Sequence, residues 1–131
     1  MHGREHEQKQ LLTSVSLEVR IPLDHPIRKL REVTDGVVTP LVPVLRELYS
    51  DRGRKGIPPE FLLRALVLQA VFSVRSERQL CEQLDYNLLF RWFVGLDLDE
   101  PAWDATTFTK NRARLVESEA GQAFLSATVD L

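Results

Sequence analysis

The chain has 131 residues, with 17 basic and 19 acidic side chains, 44% hydrophobic residues and a single cysteine. A chain of this length buries about two-thirds of its unfolded surface in one core, so it needs neither a disulfide framework nor a structural metal. The balanced charge argues against non-specific coating of nucleic acid. The lack of a signal-peptide pattern or an apolar stretch of membrane length predicts a cytoplasmic protein with no membrane partner.

Residues 1–22 are predicted to form a flexible arm that precedes one helical domain over residues 23–131. The stretch from Met1 to Leu17 mixes charged and polar side chains with few apolar anchors, which is typical of a mobile terminus. His2 and His6 have the i,i+4 spacing of two metal ligands on a helix, but no third ligand lies nearby in the sequence. Two solvated histidines are therefore the better interpretation, and no metal or cofactor is expected.

Two helices are predicted between residues 25 and 50. Pro26 suits the first position of the first helix, which is expected to end at the turn pair Asp35-Gly36. The second helix is expected over residues 39–49, where apolar side chains recur at i, i+3, i+4 and i+7.

The most apolar helix is predicted at residues 58–75. Prolines and an acid suit its first turn, and only three polar residues interrupt the stretch from Phe61 to Val74. A helix that is apolar on nearly every side belongs at the centre of a core, so Phe72 is expected to be buried. Trp92, further along the chain, is expected to be buried as well.

A series of shorter helices is predicted to follow the central one. A capping box at Ser76 starts the first of them, Gly95 suits the end of the second, and Asp104 or Thr106 is expected to cap the third. The expected spans are 76–85, 87–95, 106–116 and 117–131. Such closely joined short helices predict an all-α, compact helical bundle with a helix-turn-helix-like centre.

Residues able to perform catalysis or bind metal do not form a recognisable pattern in the sequence. There is no phosphate-binding glycine-rich loop and no supported Ser/His/Asp set, so the chain by itself is not expected to be an enzyme. Cys81 lies on an apolar helical face and is expected to be buried and inert. One group of acids has the chemistry to hold Mg²⁺, although a solvated linker is the favoured interpretation: Asp85, Asp97, Asp99, Glu100 and Asp104.

The predicted helix at residues 106–116 carries the side chains that best fit DNA recognition. Lysine and arginine reach phosphates or guanine edges, asparagine pairs with adenine, and a helix N-terminus can approach a phosphate. The alternative is a surface helix whose cations pair with Glu117 and Glu119, and the residue types leave both interpretations open. The candidate DNA-binding residues are Lys110, Arg112, Arg114, Asn111 and Thr107, helped by Arg75, Arg78 and Arg91.

Several short motifs follow one another in a specific order along residues 20–131. They include His25-Pro26-Ile27-Arg28, Leu48-Tyr49-Ser50, Ser76 to Leu80, Asn87 to Leu96, and Asp104 to Phe108 followed by Arg112 to Leu115. Each motif has low specificity, but their joint order and spacing resemble the N-terminal InsH-like domain of insertion-sequence transposases of the IS-five type.

This resemblance implies a role in DNA transposition. Complete proteins of this type are DDE transposases, in which a helical N-terminal part binds the terminal inverted repeats and an RNase H-like domain cuts and joins DNA. The first catalytic Asp of such proteins would follow Leu131, and Asp130 is not assigned that role. The chain is therefore expected to be a truncated, non-catalytic domain whose partner is double-stranded DNA with terminal inverted repeats.

Two other functions fit the same residues. One is a protein-interaction or oligomerisation module that packs against the catalytic half of a transposase or a second subunit. The other is a non-functional transposase remnant, which would fold poorly and expose apolar surface.

Overall fold

The computed structural model describes residues 16–50 and 56–129, and all regular secondary structure in these ranges is α-helical. The predicted all-α class is thus confirmed. The helices are α1 Leu17–Arg20, α2 Pro26–Ser50, α3 Pro59–Val71, α4 Glu77–Tyr86, α5 Leu88–Val94, α6 Ala105–Glu117 and α7 Glu119–Val129. In the described ranges, no helix combines the length and the apolar character that crossing a membrane requires. The predictions for His2, His6 and Asp130 lie outside the described residues.

The described part of the predicted N-terminal arm packs against the bundle. Ser16 caps the single turn of α1 by accepting a hydrogen bond from the backbone N–H of Glu18 at 3.2 Å. Ile21, which follows this turn, is only 5% exposed and belongs to the hydrophobic core. Residues 16–22 are therefore integrated into the fold, with α1 lying on α5.

The two helices predicted between residues 25 and 50 are one helix, α2, of 25 residues. Asp35-Gly36 does not end it, because the Asp35 carboxylate bonds to the guanidinium groups of Arg31 and Arg64, at 2.8 and 3.0 Å, rather than forming a turn. Pro40 lies inside the helix on its exposed side. Water can satisfy the carbonyl that its missing N–H leaves free there, so the helix continues past it.

Helix α3 forms the centre of the core, as predicted, and packs against α2 and α5. Seven of its residues are buried: Pro59, Leu62, Leu63, Ala65, Leu66, Val67 and Leu68. The prediction of a buried Phe72 is wrong, since the helix ends at Val71 and the Phe72 side chain is 46% exposed. The turn that follows has Ser73 at φ 52°, which leaves the Phe72 ring at the surface against Phe90, with 5.1 Å between ring centroids.

Trp92 is half-buried rather than fully buried. The guanidinium carbons of Arg28 and Arg31 lie 4.9 and 5.6 Å from the centre of its ring. One part of the ring thus packs on the core, and the rest contacts the two cations. Trp92 therefore lies at the edge of the core.

The predicted start of α4 at Ser76 and the predicted end of α5 at Gly95 are confirmed, whereas α6 begins one residue earlier than predicted, at Ala105. Ser76 Oγ accepts from the N–H of Gln79 at 3.2 Å, and Gly95 ends α5 in the left-handed region at φ 111°. Of the two candidate caps for α6, Asp104 is the one used, with its Oδ1 2.7 Å from the backbone nitrogen of Thr107. These local bonds set where each short helix begins and ends.

Helix α7 packs against α6 and also against α2. The close approach of α6 and α7 requires a glycine, because a Cβ on Gly121 would lie 1.9 Å from the Leu115 carbonyl oxygen. Phe124 of α7 is fully buried and belongs to the hydrophobic core.

Candidate nucleic-acid interface

Helices α4 and α6 pack against each other in antiparallel orientation. At the start of α4, Glu77 Oε1 is 3.1 Å from Arg112 Nη1 in the second half of α6. Towards the end of α4, Asp85 Oδ1 accepts from the N–H of Ala102, shortly before α6 begins. The N-terminus of α4 therefore lies beside the second half of α6, and the two helices share one outer surface.

The three cations predicted on α6 do not lie on one face. Phe108 and Leu115 are fully buried and fix the inner side of the helix. Since each residue rotates the position by about 100°, Lys110 and Arg114 lie on the outer side, about 40° apart, whereas Arg112 lies about 160° away and faces α4. The ion pair between Arg112 and Glu77 agrees with this direction.

The exposed cations of this region form what we call the α4–α6 surface: Arg75, Arg78, Lys110 and Arg112. The first three side chains are exposed, and Arg112 is 46% exposed despite its ion pair with Glu77. Arg78 follows Glu77 directly on α4, so it lies next to the junction with α6. The surface thus combines cations of α4, α6 and the segment before α4, with Arg112 at the junction of the two helices and Lys110 on the outer side of α6.

Two threonines on the outer side of α6 were not among the predicted DNA-binding residues. Thr106 and Thr109 are exposed and, with Ala105 and Lys110, line a shallow depression of about 360 Å³. Thr106 precedes Thr109 by three residues and Lys110 by four, which is the spacing of neighbours on a helix surface. This spacing is the sequence signal that identifies the two threonines. The predicted Thr107 is instead half-buried, and its carbonyl accepts from Asn111.

Arg91 lies inside the protein, with only 2% of its area exposed. Its guanidinium donates to the Leu84 carbonyl at 2.7 Å and to the carbonyls of Asp97 and Glu100. These bonds connect the end of α4 to the turn after α5. The side chain therefore acts within the fold and does not face the α4–α6 surface.

Asn111 is likewise directed inward and is 7% exposed. Its Oδ1 accepts from the N–H of Ile57 at 3.3 Å, and its Nδ2 donates to the Thr107 carbonyl at 2.8 Å. The oxygen and the nitrogen of the side-chain amide thus both bond to backbone groups, and the side chain holds residue 57 against α6. Arg114 is half-buried and has contacts within its own chain.

The carboxylate of Asp104 occupies the N-terminus of α6. Hydrogen bonds from the backbone and side chain of Thr107 lower the pKa of Asp104, and the charge of Lys110 contributes in the same direction. A phosphate approaching this helix end would meet an anion already in place. The cations of the α4–α6 surface are therefore better placed to contact DNA phosphates than the α6 N-terminus is.

The remaining candidates for chemistry have roles within the fold. Cys81 is buried, and burial together with the carboxylates of Asp104, Glu77 and Asp85 raises the pKa of its thiol to about 11. Glu100 accepts from the N–H of Asp97 at 3.1 Å. Among the residues that the structure describes, no group of three or more His, Cys, Asp or Glu side chains has an arrangement able to hold a metal ion.

Comparison with known proteins identifies the family. The model of the family described as "Transposase domain (DUF772)" matches residues 15–114, which run from α1 into α6. No curated protein matches the chain, and no solved structure matches it. Because the matched segment covers well over half of the 131 residues, the chain belongs to the transposase-domain family DUF772.

Proposed function

We propose that this chain is the DNA-binding domain of an insertion-sequence transposase of the IS-five type and recognises the terminal inverted repeats of its element. The observation that carries the proposal is the family match over residues 15–114. A transposase must hold the ends of its DNA, and the described helices offer a surface suited to that contact. In this proposal, cutting and joining belong to a separate RNase H-like domain.

The α4–α6 surface supports this function by its charge and shape. Arg78 and Lys110 are exposed on the two packed helices, Arg75 is exposed in the segment just before α4, and all three suit contact with phosphates. Thr106 and Thr109 add exposed hydroxyl groups that can bond to phosphate or base edges. The helix-turn-helix-like centre stays part of the proposal, with α6 as the helix presented to the duplex.

The predicted residues divide into two groups under this proposal. Arg75, Arg78, Lys110 and Arg112 contact the duplex, with Arg114 and Thr107 at the border of the contact. Arg91 and Asn111 act through the fold by holding the loops that flank α4 and α6. The overall charge of −2 fits a local interface rather than a generally basic protein.

The test measures duplex affinity against salt concentration. A fluorescent duplex with the terminal repeat is titrated with the wild-type chain and with an Arg78→Ala/Lys110→Ala variant. We expect the wild type to bind the repeat more tightly than a scrambled duplex. The slope of log affinity against log salt concentration should become shallower by about 0.9 for each phosphate that the variant no longer neutralises. The double variant should therefore show both weaker binding and a shallower slope.

The matched control removes two cations from another part of the molecule. Arg20 and Arg46 are exposed on α1 and α2, so an Arg20→Ala/Arg46→Ala variant has the same net charge as the test variant. It should bind DNA like the wild type apart from a small general charge effect. An equal decrease in affinity in the two variants would reject the α4–α6 surface. The absence of duplex binding at low salt would instead favour an interaction module.

A further inference from the structure

Helix α2 carries a second apolar stripe besides the one that enters the core. Ile27 and Leu45 are buried in the core, whereas Val33 and Val44 are 41% and 55% exposed. At about 100° per residue, the exposed stripe lies about 110° around the helix from the buried one. Its members, which we call the outer stripe, are Val33, Val37, Pro40 and Val44, with Pro40 exposed and Val37 half-buried.

The spacing of the outer stripe is that of a helix–helix seam. Its residues follow one another at intervals of four, three and four, which is the alternation of a and d positions in a coiled coil. Apolar side chains that are clustered and exposed on a long helix favour contact with another helix. The stripe therefore has the pattern that a partner helix would cover.

The charges beside the stripe indicate which helix fits. Lys29 and Glu47 both lie about 50° to the same side of the outer stripe, near its two ends. They are almost equally far from the centre of the stripe, which falls between residues 38 and 39. In an antiparallel pair of α2 helices, Lys29 of each protomer would face Glu47 of the other. A parallel pair would keep these charges about 27 Å apart.

We propose that the outer stripe of α2 docks antiparallel against the same stripe of a second copy of this chain. Each protomer then contributes the same surface, as a twofold interface requires. Lys29 is free to join this contact because its side chain is 78% exposed and its bond to Glu32 is long, at 3.9 Å. Glu47 also has a contact within its own chain, so the apolar seam carries the affinity and the charges set the orientation.

This interface is a single pair of helices, so we expect a reversible dimer whose population rises with protein concentration. The proposal is independent of DNA binding and is tested without DNA. Sedimentation equilibrium is measured for the wild type and for Val44→Glu, which places a carboxylate opposite Val33 of the other protomer. The substitution should raise the dimer dissociation constant by at least about tenfold.

Leu23→Glu is the matched control, because Leu23 is 86% exposed and precedes α2. This variant carries the same added charge outside the stripe and should dimerise like the wild type. Far-UV circular dichroism confirms folding, and Val33→Glu serves as a second stripe variant if Val44→Glu unfolds. A wild type that stays monomeric at every concentration overturns the proposal, as does a dimer that the stripe variants leave unchanged.

Cysteine cross-linking tests the orientation. Chains with Val33→Cys are mixed with chains with Val44→Cys under mild oxidation, and Cys81 does not interfere because it is buried. An antiparallel seam predicts a disulfide in the mixture and none in either chain by itself, since identical positions would be about 16 Å apart. Disulfides between identical positions would show a parallel pair and reject the antiparallel arrangement.

Discussion

Arg91 connects three parts of the chain through its buried guanidinium. It donates to the carbonyls of Leu84, Asp97 and Glu100, and its Nε is buried without a hydrogen-bond partner among the described residues. A buried cation that bonds to carbonyl groups is costly to remove, because each acceptor would be left without its donor. The arginine is thus a structural requirement of the turn between α5 and α6.

Replacing Arg91 with Met should lower the free energy of unfolding by about 3 kcal/mol or more, because the carbonyls of Leu84 and Glu100 lose their donor and the Asp97 carbonyl keeps only the N–H of Glu100. Arg91→Lys should recover only part of this stability, since one ammonium group cannot reach acceptors on both sides. Urea denaturation measures the effect. The exposed Arg78→Ala serves as the control and should change stability by less than about 0.5 kcal/mol. An Arg91→Met variant as stable as this control would contradict the structural role.

The Asn111 side chain lies so close to Gly56 that substitutions at the two positions should affect each other. A Cβ on Gly56 would lie 2.8 Å from Asn111 Oδ1, and the same oxygen holds the N–H of Ile57. Asn111→Ala should destabilise the fold by about 1–3 kcal/mol, because the buried N–H of Ile57 is left without its acceptor. Gly56→Ala should destabilise the wild type but not the Asn111→Ala variant, where the clashing atom is gone. Thermal melts of the four chains give the coupling energy, and additive effects would contradict this contact.

At the scale of the element, the two glycines inside α2 and α7 have opposite surroundings. A Cβ on Gly36 would meet nothing within 4 Å, whereas a Cβ on Gly121 would lie 1.9 Å from the Leu115 carbonyl oxygen. Gly36→Ala should therefore stabilise the protein by up to about 1 kcal/mol, through the higher helix propensity of alanine. Gly121→Ala should destabilise it strongly by forcing α7 away from α6. Thermal melting at low protein concentration measures both, and a destabilising Gly36→Ala would argue against a continuous α2.

The helices that local signals define were predicted correctly, and α2 shows where such signals fail. Ser76 and Gly95 act on groups three or four residues away, so their roles can be read from the sequence. Asp35 resembles a turn residue locally, but it bonds to Arg64, 29 residues further along the chain. That bond exists only in the folded bundle, so a prediction based on neighbouring residues places a turn there.

Which of the candidate DNA-binding side chains reach the surface could be predicted only in part, for the same reason. The cations of α4 and α6 were identified by residue type, and exposure supports the candidacy of Arg75, Arg78 and Lys110. Asn111 has the same favourable chemistry, yet it faces the backbone of Ile57, 54 residues earlier in the chain. Residue type indicates what a side chain can bind, whereas packing determines whether it reaches the surface.

At the scale of the whole molecule, Arg28 fastens the N-terminal segment to the bundle. Its guanidinium donates to the Glu18 carboxylate at 2.5 Å and to the carbonyls of Pro22, Glu18 and Ile21 at 2.6–3.0 Å. The second oxygen of Glu18 accepts from the indole N–H of Trp92 at 2.7 Å. One carboxylate therefore joins α1 to both α2 and α5.

The stability of the molecule should consequently fall at acidic pH. Hydrogen bonds from Arg28 and Trp92 lower the pKa of Glu18 below its ordinary 4.5, and the bonds from Thr107 lower the pKa of Asp104 below its ordinary 3.8. Because the unfolded chain binds these protons more readily, the stabilisation is fully present above the ordinary values and is lost as pH falls through the lowered ones.

Urea denaturation between pH 7 and pH 2 measures this decrease in stability. Glu18→Gln and Asp104→Asn should each lower stability at neutral pH and flatten the acidic part of the profile, because the substituted side chain no longer titrates. Trp92 fluorescence adds a local readout, since its ring contacts Glu18 and two arginines. Because Trp103 would also fluoresce, every chain in this measurement carries Trp103→Phe. The Trp92 fluorescence should then change with pH in the chain that keeps Glu18 and remain constant in Glu18→Gln. An unaltered acid profile in both variants would show that other carboxylates control the acid sensitivity of the fold.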